Sequence, residues 1–365
     1  MKISTRRTWA EINLNALKKN IETLRCVSGS KEIIAVVKAN AYGHGVKIVA
    51  PALWEEGVRY FAVSNINEAL EIAALLPFPD VKIIIFGYAE VIAEHDFIYT
   101  VGSVEYGKRL NAHAAEMSRK IRVHIKVDTG MGRVGIDSDD ELSALLSLPG
   151  LNVEAVYTHF AVSDSEFDDA LKYTAAQQEK LLKMLKIAPD IPFHSQNSGG
   201  ILYHNDFKGE FVRAGIAMYG YHPNPDLKET PHLYPVMTLK SVVWQVKELQ
   251  KGAFISYGKT FKCPDIMRVA VIPIGYADGY SRALSNVGCV LIRGMKAPVL
   301  GRVCMDQIIV DVSEIKNVAP GDEVLVYSPQ SPFTDVNQIA KTLKTISYEV
   351  LCNVSARVER ICVNS

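Results

Sequence analysis

Ile33-Ile34-Ala35-Val36-Val37-Lys38 is a run of five apolar residues closed by a lysine, and Ala39-Asn40-Ala41-Tyr42-Gly43-His44-Gly45 comes directly after it. An unbroken, β-branched run of this length suits a strand buried on both faces, as in a parallel sheet. Seven similar runs come later: Tyr60–Ser64, Val81–Phe86, Ile98–Val101, Ile121–Val127, Val153–His159, Ile191–Ser195 and Phe211–Ala214. The fourth and seventh of the eight are the weakest. Helical periods separate most of them, such as Val46, Val49, Ala50 and Leu53, or Leu171, Leu181, Leu182 and Leu185. Asn15 to Arg25 adds a leading helix with Leu17, Ile21 and Leu24 on one face. Eight such units predict a TIM-like (β/α)8 barrel rather than an open doubly wound sheet. No G-x-G-x-x-G follows a strand, and there is no P-loop.

The rhythm changes at Tyr221-His222-Pro223-Asn224-Pro225-Asp226, which reads as a linker. Beyond it come the runs Met237–Val246, Arg268–Ile274, Val287–Ile292, Arg302–Val312 and Glu323–Tyr327, with one helical period from Val336 to Leu343. The expected class is therefore α/β, with a barrel domain over 1–225 and a mostly β C-terminal domain over 226–365. Residues 1–10 are candidates to pair with the second domain.

The 365 residues carry 40 basic and 40 acidic side chains, so no global field favours nucleic acid or an anionic membrane surface. No stretch approaches the roughly 20 apolar residues of a membrane-spanning helix. Met1 to Arg7 leads into Trp9-Ala10-Glu11 without an apolar core, so no signal peptide is expected. The six cysteines, Cys26, Cys263, Cys289, Cys304, Cys352 and Cys362, form no C-x-x-C pair and give no zinc framework. A small-molecule function in the cytoplasm, with no metal, is the expectation.

In a (β/α)8 barrel, chemistry gathers at the C-terminal ends of the strands. There this chain places Lys38, then Lys126, Asp128 and Arg133, Thr158-His159, His194 to Gly199, and Arg213 before Gly215-Ile216. Two lysines, two histidines and two arginines in one cluster need an anionic occupant. The loops after strands seven and eight of such barrels often bind phosphate through backbone N–H groups, and here they are Asn197-Ser198-Gly199 and Gly215-Ile216. A phosphorylated ligand beside a buried lysine suggests a Schiff base to pyridoxal 5'-phosphate, because desolvation favours the free amine that imine formation needs. Each residue alone also has a plain structural use: Lys38 can be solvated, Arg213 can pair with Glu210, and Tyr42, Tyr257 and Tyr276 are three of sixteen tyrosines. The weight lies in their shared end of the barrel.

These segments resemble the alanine racemases. The resemblance runs in order through Ala35–Gly45, Val127–Arg133, Thr158–Phe160, Val212–Gly220, Ser256–Gly258, Gly275–Gly279, Gly301–Gln307 and Thr345–Glu349, spanning nearly the whole chain. It implies interconversion of L- and D-alanine, supplying D-alanine for peptidoglycan, through an external aldimine of pyridoxal 5'-phosphate. Lys38 would be the base on the D-alanine side and Tyr257 on the L-alanine side. A phenol is a poor base at neutral pH, and positions matching His159 and Arg213 supply a cationic neighbourhood. Arg213 would hydrogen-bond the pyridine nitrogen without surrendering a proton. Tyr42, Ser198, Gly215, Ile216 and Tyr348 would hold the phosphate. Arg133 and the Met305 backbone would contact the substrate carboxylate, with Tyr276 at the entrance. Lys126 matches a lysine carbamylated in some relatives. The resemblance further implies a homodimer with active sites shared between subunits.

Gly199-Gly200 depart from the alanines usual after Asn-Ser, and Leu351 and Glu359 stand where relatives often carry proline; these put loop rigidity in doubt. The alternatives are a racemase of serine or another small amino acid, a related basic amino-acid decarboxylase, which Ser256-Tyr257-Gly258 and Cys304-Met305-Asp306 disfavour, and a barrel-only cofactor carrier, which residues 230–365 disfavour.

Overall fold

The computed structural model describes residues 7–29, 31–90, 94–227 and 230–364. Two compact units divide the chain: one runs from the N-terminus through Ala16, then Tyr42–Ile48 and Pro235–Ser365; the other comprises Leu17–Ala41 and Val49–Tyr234.

The leading strand, β1 (Thr8–Asn13), belongs to the first of these units. The other unit holds the next eight: β2 (Glu32–Val36), β3 (Tyr60–Val63), β4 (Lys82–Ile85), β5 (Ile98–Val101), β6 (Ile121–Lys126), β7 (Leu151–Tyr157), β8 (Phe193–His194) and β9 (Phe211–Ala214). All eight pair in parallel in the order β8-β7-β6-β5-β4-β3-β2-β9. Backbone bonds from Glu210 N to Phe193 O (3.1 Å) and from Arg213 N to Gln196 O (2.9 Å) draw the two end strands together into a near-closed barrel. The runs of β2, β4 and β5 are buried on both faces over nearly their whole length, which explains why no polar alternation marks them. The two weakest runs in the sequence are short here, and β8 has only two residues. The first run stops pairing earlier than its apolar length suggests: β2 ends at Val36, so Lys38 lies beyond the strand.

Past Lys38 the backbone takes an uncommon path. Ala39, Asn40, Ala41 and Tyr42 all have φ between 52° and 54°, a turn of left-handed helix built without glycine. Each such residue costs about 1–2 kcal/mol, so neighbours must hold the turn. On the barrel side, Ala41 N donates to Val37 O (2.9 Å) and Ala39 N to Glu68 Oε1 (2.7 Å). Glu68 is itself fixed in the first turn of helix Ile66–Leu75, capped by Asn65. In the other unit, Arg360 donates through Nε and an Nη to Gly43 O (3.0 and 2.8 Å). Gly43 has φ 80°, and a Cβ there would overlap the Leu351 carbonyl oxygen. Gly43→Ala should therefore destabilise the protein by about 3 kcal/mol or more. Urea unfolding monitored by circular dichroism checks this, and a midpoint equal to wild type would show that the turn is not clamped.

The remaining strands lie in the first unit with β1. They are β10 (Met237–Val242), β11 (Gln245–Leu249), β12 (Phe254–Ile255), β13 (Phe261–Lys262), β14 (Met267–Ile272), β15 (Cys289–Ile292), β16 (Met295–Pro298), β17 (Ile308–Asp311), β18 (Glu323–Tyr327) and β19 (Glu359–Val363). A six-stranded sheet in the order β16-β15-β18-β10-β1-β19 is accompanied by the smaller sheets β11-β14-β17 and β12-β13. β1 pairs antiparallel with β10 and parallel with β19, and residues 1–6 lie outside the described residues.

Two expected runs are corrected. Met237–Val246 is two strands, because Val243 N bonds Asp322 O (2.8 Å) while Trp244 N bonds Val271 O (2.8 Å), and the chain changes sheets between them. Arg302–Val312 is a strand only over Ile308–Asp311; before it the chain turns, closed by Cys304 N to Gln307 O (3.0 Å). Helix Ser347–Cys352 is a further element that periodicity does not predict; it is too short to show a period.

Candidate active site

The barrel brings Lys38, Lys126, Arg133, His159, Ser198 and Arg213 to its C-terminal end, as the strand assignments require. Arg213 on β9 is only 3% exposed. Its terminal nitrogens are fully engaged. Nη1 donates to His194 Nδ1 (2.6 Å) and His194 O (3.3 Å). Nη2 donates to Thr158 O and Ser195 O (both 2.8 Å) and faces His159 Nδ1 at 3.3 Å. Glu210, the partner considered from sequence, instead accepts from Phe193 N (2.7 Å). Burial lowers Arg213's pKa to about 10, and arginine stays protonated at neutral pH.

His159 shows how cationic the cluster is. Desolvation, then the charges of Arg213, Arg133, Lys126 and Lys38, hold its imidazole well below the ordinary range, so it is neutral. Lys126, at the end of β6 and 6% exposed, is pushed down to about 8 by burial and by Arg133 and Arg213, against the pull of Asp128. Burial alone would raise the Asp128 pKa, but N–H groups of its own loop outweigh that and lower it: Gly130 (2.9 Å), Gly132 (3.1 Å) and Arg133 (2.8 Å) donate to its carboxylate. That grip shapes the loop carrying Arg133, whose side chain is exposed.

Ser198 opens helix Ser198–Tyr203, and its Oγ accepts from Gly215 N (3.1 Å) and Ala217 N (3.3 Å), tying the two loops after β8 and β9 together. Ile216 is fully buried beside them. The Gly199 departure has a local cause: a Cβ there would meet Ser163 Oγ at 2.7 Å. Ser163 in turn donates to Asn197 Oδ1 (2.7 Å), which caps the helix by accepting from Gly200 N (2.9 Å). A serine thus fills the space an alanine methyl would need.

In the other unit, Tyr42 is buried with its ring 6.0 Å from that of Tyr348. Burial, with Cys352 adding, pushes the Tyr42 phenol up, so it stays protonated. Three further segments converge. Ser256 Oγ donates to Arg302 O (2.6 Å), Tyr276 N to Cys304 O (3.1 Å) and Ala277 N to Met305 O (3.0 Å). Tyr257, Tyr276 and Met305 stand on them, 71%, 43% and 52% exposed. Large exposed side chains gathered this way form a patch of the kind found at interaction or ligand sites.

Residues 12–223 match the family described as alanine racemase, N-terminal domain, and residues 236–362 the one described as alanine racemase, C-terminal domain. The chain belongs to the alanine racemase family. Members of that family are isomerases, and its fold is the barrel plus β unit seen here. The chain is 43% identical to the alanine racemase of Clostridium perfringens over 99% of its own length and 96% of that protein. Alanine racemase from Streptomyces coelicolor superposes with a TM-score of 0.91 at 31% identity, covering 98% of both chains. A Bartonella henselae alanine racemase, solved with covalently bound pyridoxal phosphate, gives 0.88 at 32% identity over 98% of this chain and all of that one.

Pyridoxal phosphate fits the residues present. Arg213's four terminal N–H groups are taken, and its Nε–H makes no hydrogen bond among the described residues. That leaves one donor of an otherwise buried guanidinium for a ring nitrogen, beside a cluster of cations suited to a phosphate. Among the described residues no group of His, Cys, Asp or Glu could hold a metal, and no helix is long and apolar enough to cross a membrane.

Two buried residues carry more than the sequence suggests. His194 enters there only as one of the two histidines of the strand-end cluster, and His124, inside an apolar run, does not enter at all. A signal exists all the same: a histidine in an otherwise β-branched strand is costly to bury unless it has a partner.

Proposed function

We propose that the protein racemises alanine with pyridoxal 5'-phosphate carried on Lys38. The observation that carries this is the unengaged Nε–H of buried Arg213, within a cluster whose cations include Lys38. When bound, the cofactor supplies an electron-withdrawing ring that acidifies the α-C–H of an amino acid joined to it. Racemisation then needs two proton carriers, since one side chain cannot readily reach both faces of the α-carbon. Lys38 takes the D face and Tyr257 the L face. Arg213 donates to the ring nitrogen and, unable to release its proton, limits how much charge the ring withdraws; that disfavours transamination. Any positive charge that helps the phenol act as a base would come from Arg213, because His159 beside it is neutral rather than cationic.

Tyr42 and Tyr348 through their hydroxyls, Ser198, and the backbone of Gly215 and Ile216 hold the phosphate. Arg133 and the backbone N–H of Met305 hold the substrate carboxylate, and Tyr276 narrows the entrance. The exposure of Tyr257, Tyr276 and Met305 supports a homodimer in which these residues serve the partner's barrel. None of the six cysteines is joined in a disulfide among the described residues, which suits a reducing cytoplasm, where D-alanine would feed peptidoglycan synthesis. Chiral chromatography after incubation with a panel of L-amino acids tests the reading. The fastest product should be D-alanine, and faster turnover of serine or another residue, or none at all, contradicts it.

Lys126 is proposed to be carbamylated. Its amine, lowered to about 8, is about half neutral at pH 8. The neutral form attacks CO2, forming an N–C bond and releasing one proton. The carbamate then attracts Arg133 where the ammonium repelled it. In 13C-bicarbonate at pH 8 a carbamate carbon signal should appear and be lost in Lys126→Ala, whose KM for alanine should rise about tenfold. A signal that persists in the variant places the carbamate elsewhere.

A further inference from the structure

Behind Arg213 lies a chain of two buried histidines. Arg213 Nη1 donates to His194 Nδ1 at 2.6 Å, and His194 Nε2 lies 3.1 Å from His124 Nδ1. A guanidinium can only donate, so His194 Nδ1 carries no proton. A neutral imidazole then has its proton on Nε2, which must point at His124 Nδ1. His124 therefore accepts there and keeps its own proton on Nε2. The arginine dictates the direction of the whole wire, Arg213 to His194 to His124.

The rings cannot turn away. His194 is stacked on Tyr157 with centroids 4.6 Å apart and planes 6° from parallel, and Phe211 meets it edge-on at 6.0 Å. Phe211 also lies 6.4 Å from His124. The register between β6 and β7 shifts between Val123 and His124, a bulge of the kind that re-aims a side chain, and both residues are buried. The groups facing this pair are Arg213, His159, Tyr157 and, for His124, Arg122; burial, with the charge of Arg213 and, for His124, of Arg122, keeps both imidazoles neutral, His124 being lowered to about 3.

We propose that His194 and His124 are positioning residues for Arg213. Locked in the Nε2–H form, they hold Nη1 through one acceptor and so leave Nε–H as the donor for the cofactor ring. The other acceptors of the guanidinium are the backbone carbonyls of Thr158, His194 and Ser195 and, at 3.3 Å, His159 Nδ1. A carboxylate in place of His194 would bind two N–H groups at once and compete for Nε; an imidazole nitrogen takes only one. The proposal rests on the reading of Arg213 given above.

Two measurements on the holoenzyme test it. Long-range 1H–15N correlation with 15N-histidine should show His194 and His124 neutral, with protonated Nε2 and bare Nδ1, each assigned by the variant that loses it. An Nδ1–H form or an imidazolium at His194 overturns the proposal. His124→Asn keeps an acceptor near the Nδ1 position and should retain kcat within about threefold, whereas His124→Leu should lose about tenfold or more. The loss should fall on kcat, with KM for alanine unchanged and the cofactor absorbance band shifted. Equal effects of the two variants, or a loss confined to KM, overturn it. The tautomer signals do not depend on turnover. Expected tautomers without racemisation would reject the racemase reading, while racemisation with a protonated His194 Nδ1 would reject the wire.

Discussion

Lys38→Ala should abolish racemisation, lowering kcat by at least about a thousandfold in both directions. The expectation rests on position and chemistry together. Lys38 lies immediately past β2, where the chain leaves the sheet and enters four consecutive left-handed residues. Backbone strain of that kind persists only where surroundings over-determine it, and it concentrates at functional sites. The supports named above, Glu68 on Ala39 and Arg360 on Gly43, act on the backbone and are untouched by the substitution. The variant should therefore fold with unchanged far-ultraviolet circular dichroism and still fail to hold the cofactor covalently. Stopped-assay chiral chromatography from either enantiomer measures the loss. Residual activity within tenfold of wild type would show that another lysine serves.

The second large effect is directional. Tyr257→Phe should cripple solvent exchange of the α-proton of L-alanine while leaving exchange from D-alanine within about tenfold of wild type. Deuterium incorporation in single turnover separates the two faces; equal loss on both contradicts the two-base assignment. The same variant tests the shared site. If Lys38 of one subunit works with Tyr257 of its partner, a heterodimer of Lys38→Ala with Tyr257→Phe has one doubly defective site and one intact site. Random pairing makes half the dimers mixed, so co-refolding should return about a quarter of wild-type activity. Heterodimers isolated by differential tags that are no more active than their parents would place each site within one chain.

The barrel is legible because its strands are short, continuous and apolar, a pattern only a doubly covered parallel sheet demands. Once the strands are placed, Lys38, Lys126, His159 and Arg213 fall at one end by geometry alone. The rest is hidden for identifiable reasons. Ala39 and Ala41 give no hint of positive φ, and Asn40 only a weak one, since glycine and, less strongly, asparagine advertise it in sequence. The break between β10 and β11 depends on Asp322 and Val271, distant partners that local periodicity cannot see. Tyr257 stands out only through resemblance, because a lone tyrosine after Ser256 has no pattern of its own. His124 is invisible for the opposite reason: its strand matches the expected run so well that one histidine reads as packing. The departure at Gly199 has its reason in Ser163, which sits in the space a methyl would occupy, while a methyl at Gly200 would crowd Gln196 and Phe160.

Borohydride reduction of the wild-type protein loaded with pyridoxal 5'-phosphate, followed by peptide mapping, tests the central claim most directly. The account predicts the reduced cofactor on the peptide that contains Lys38, and on that lysine alone. Attachment at Lys126 or any other lysine, or no attachment at all, would contradict it.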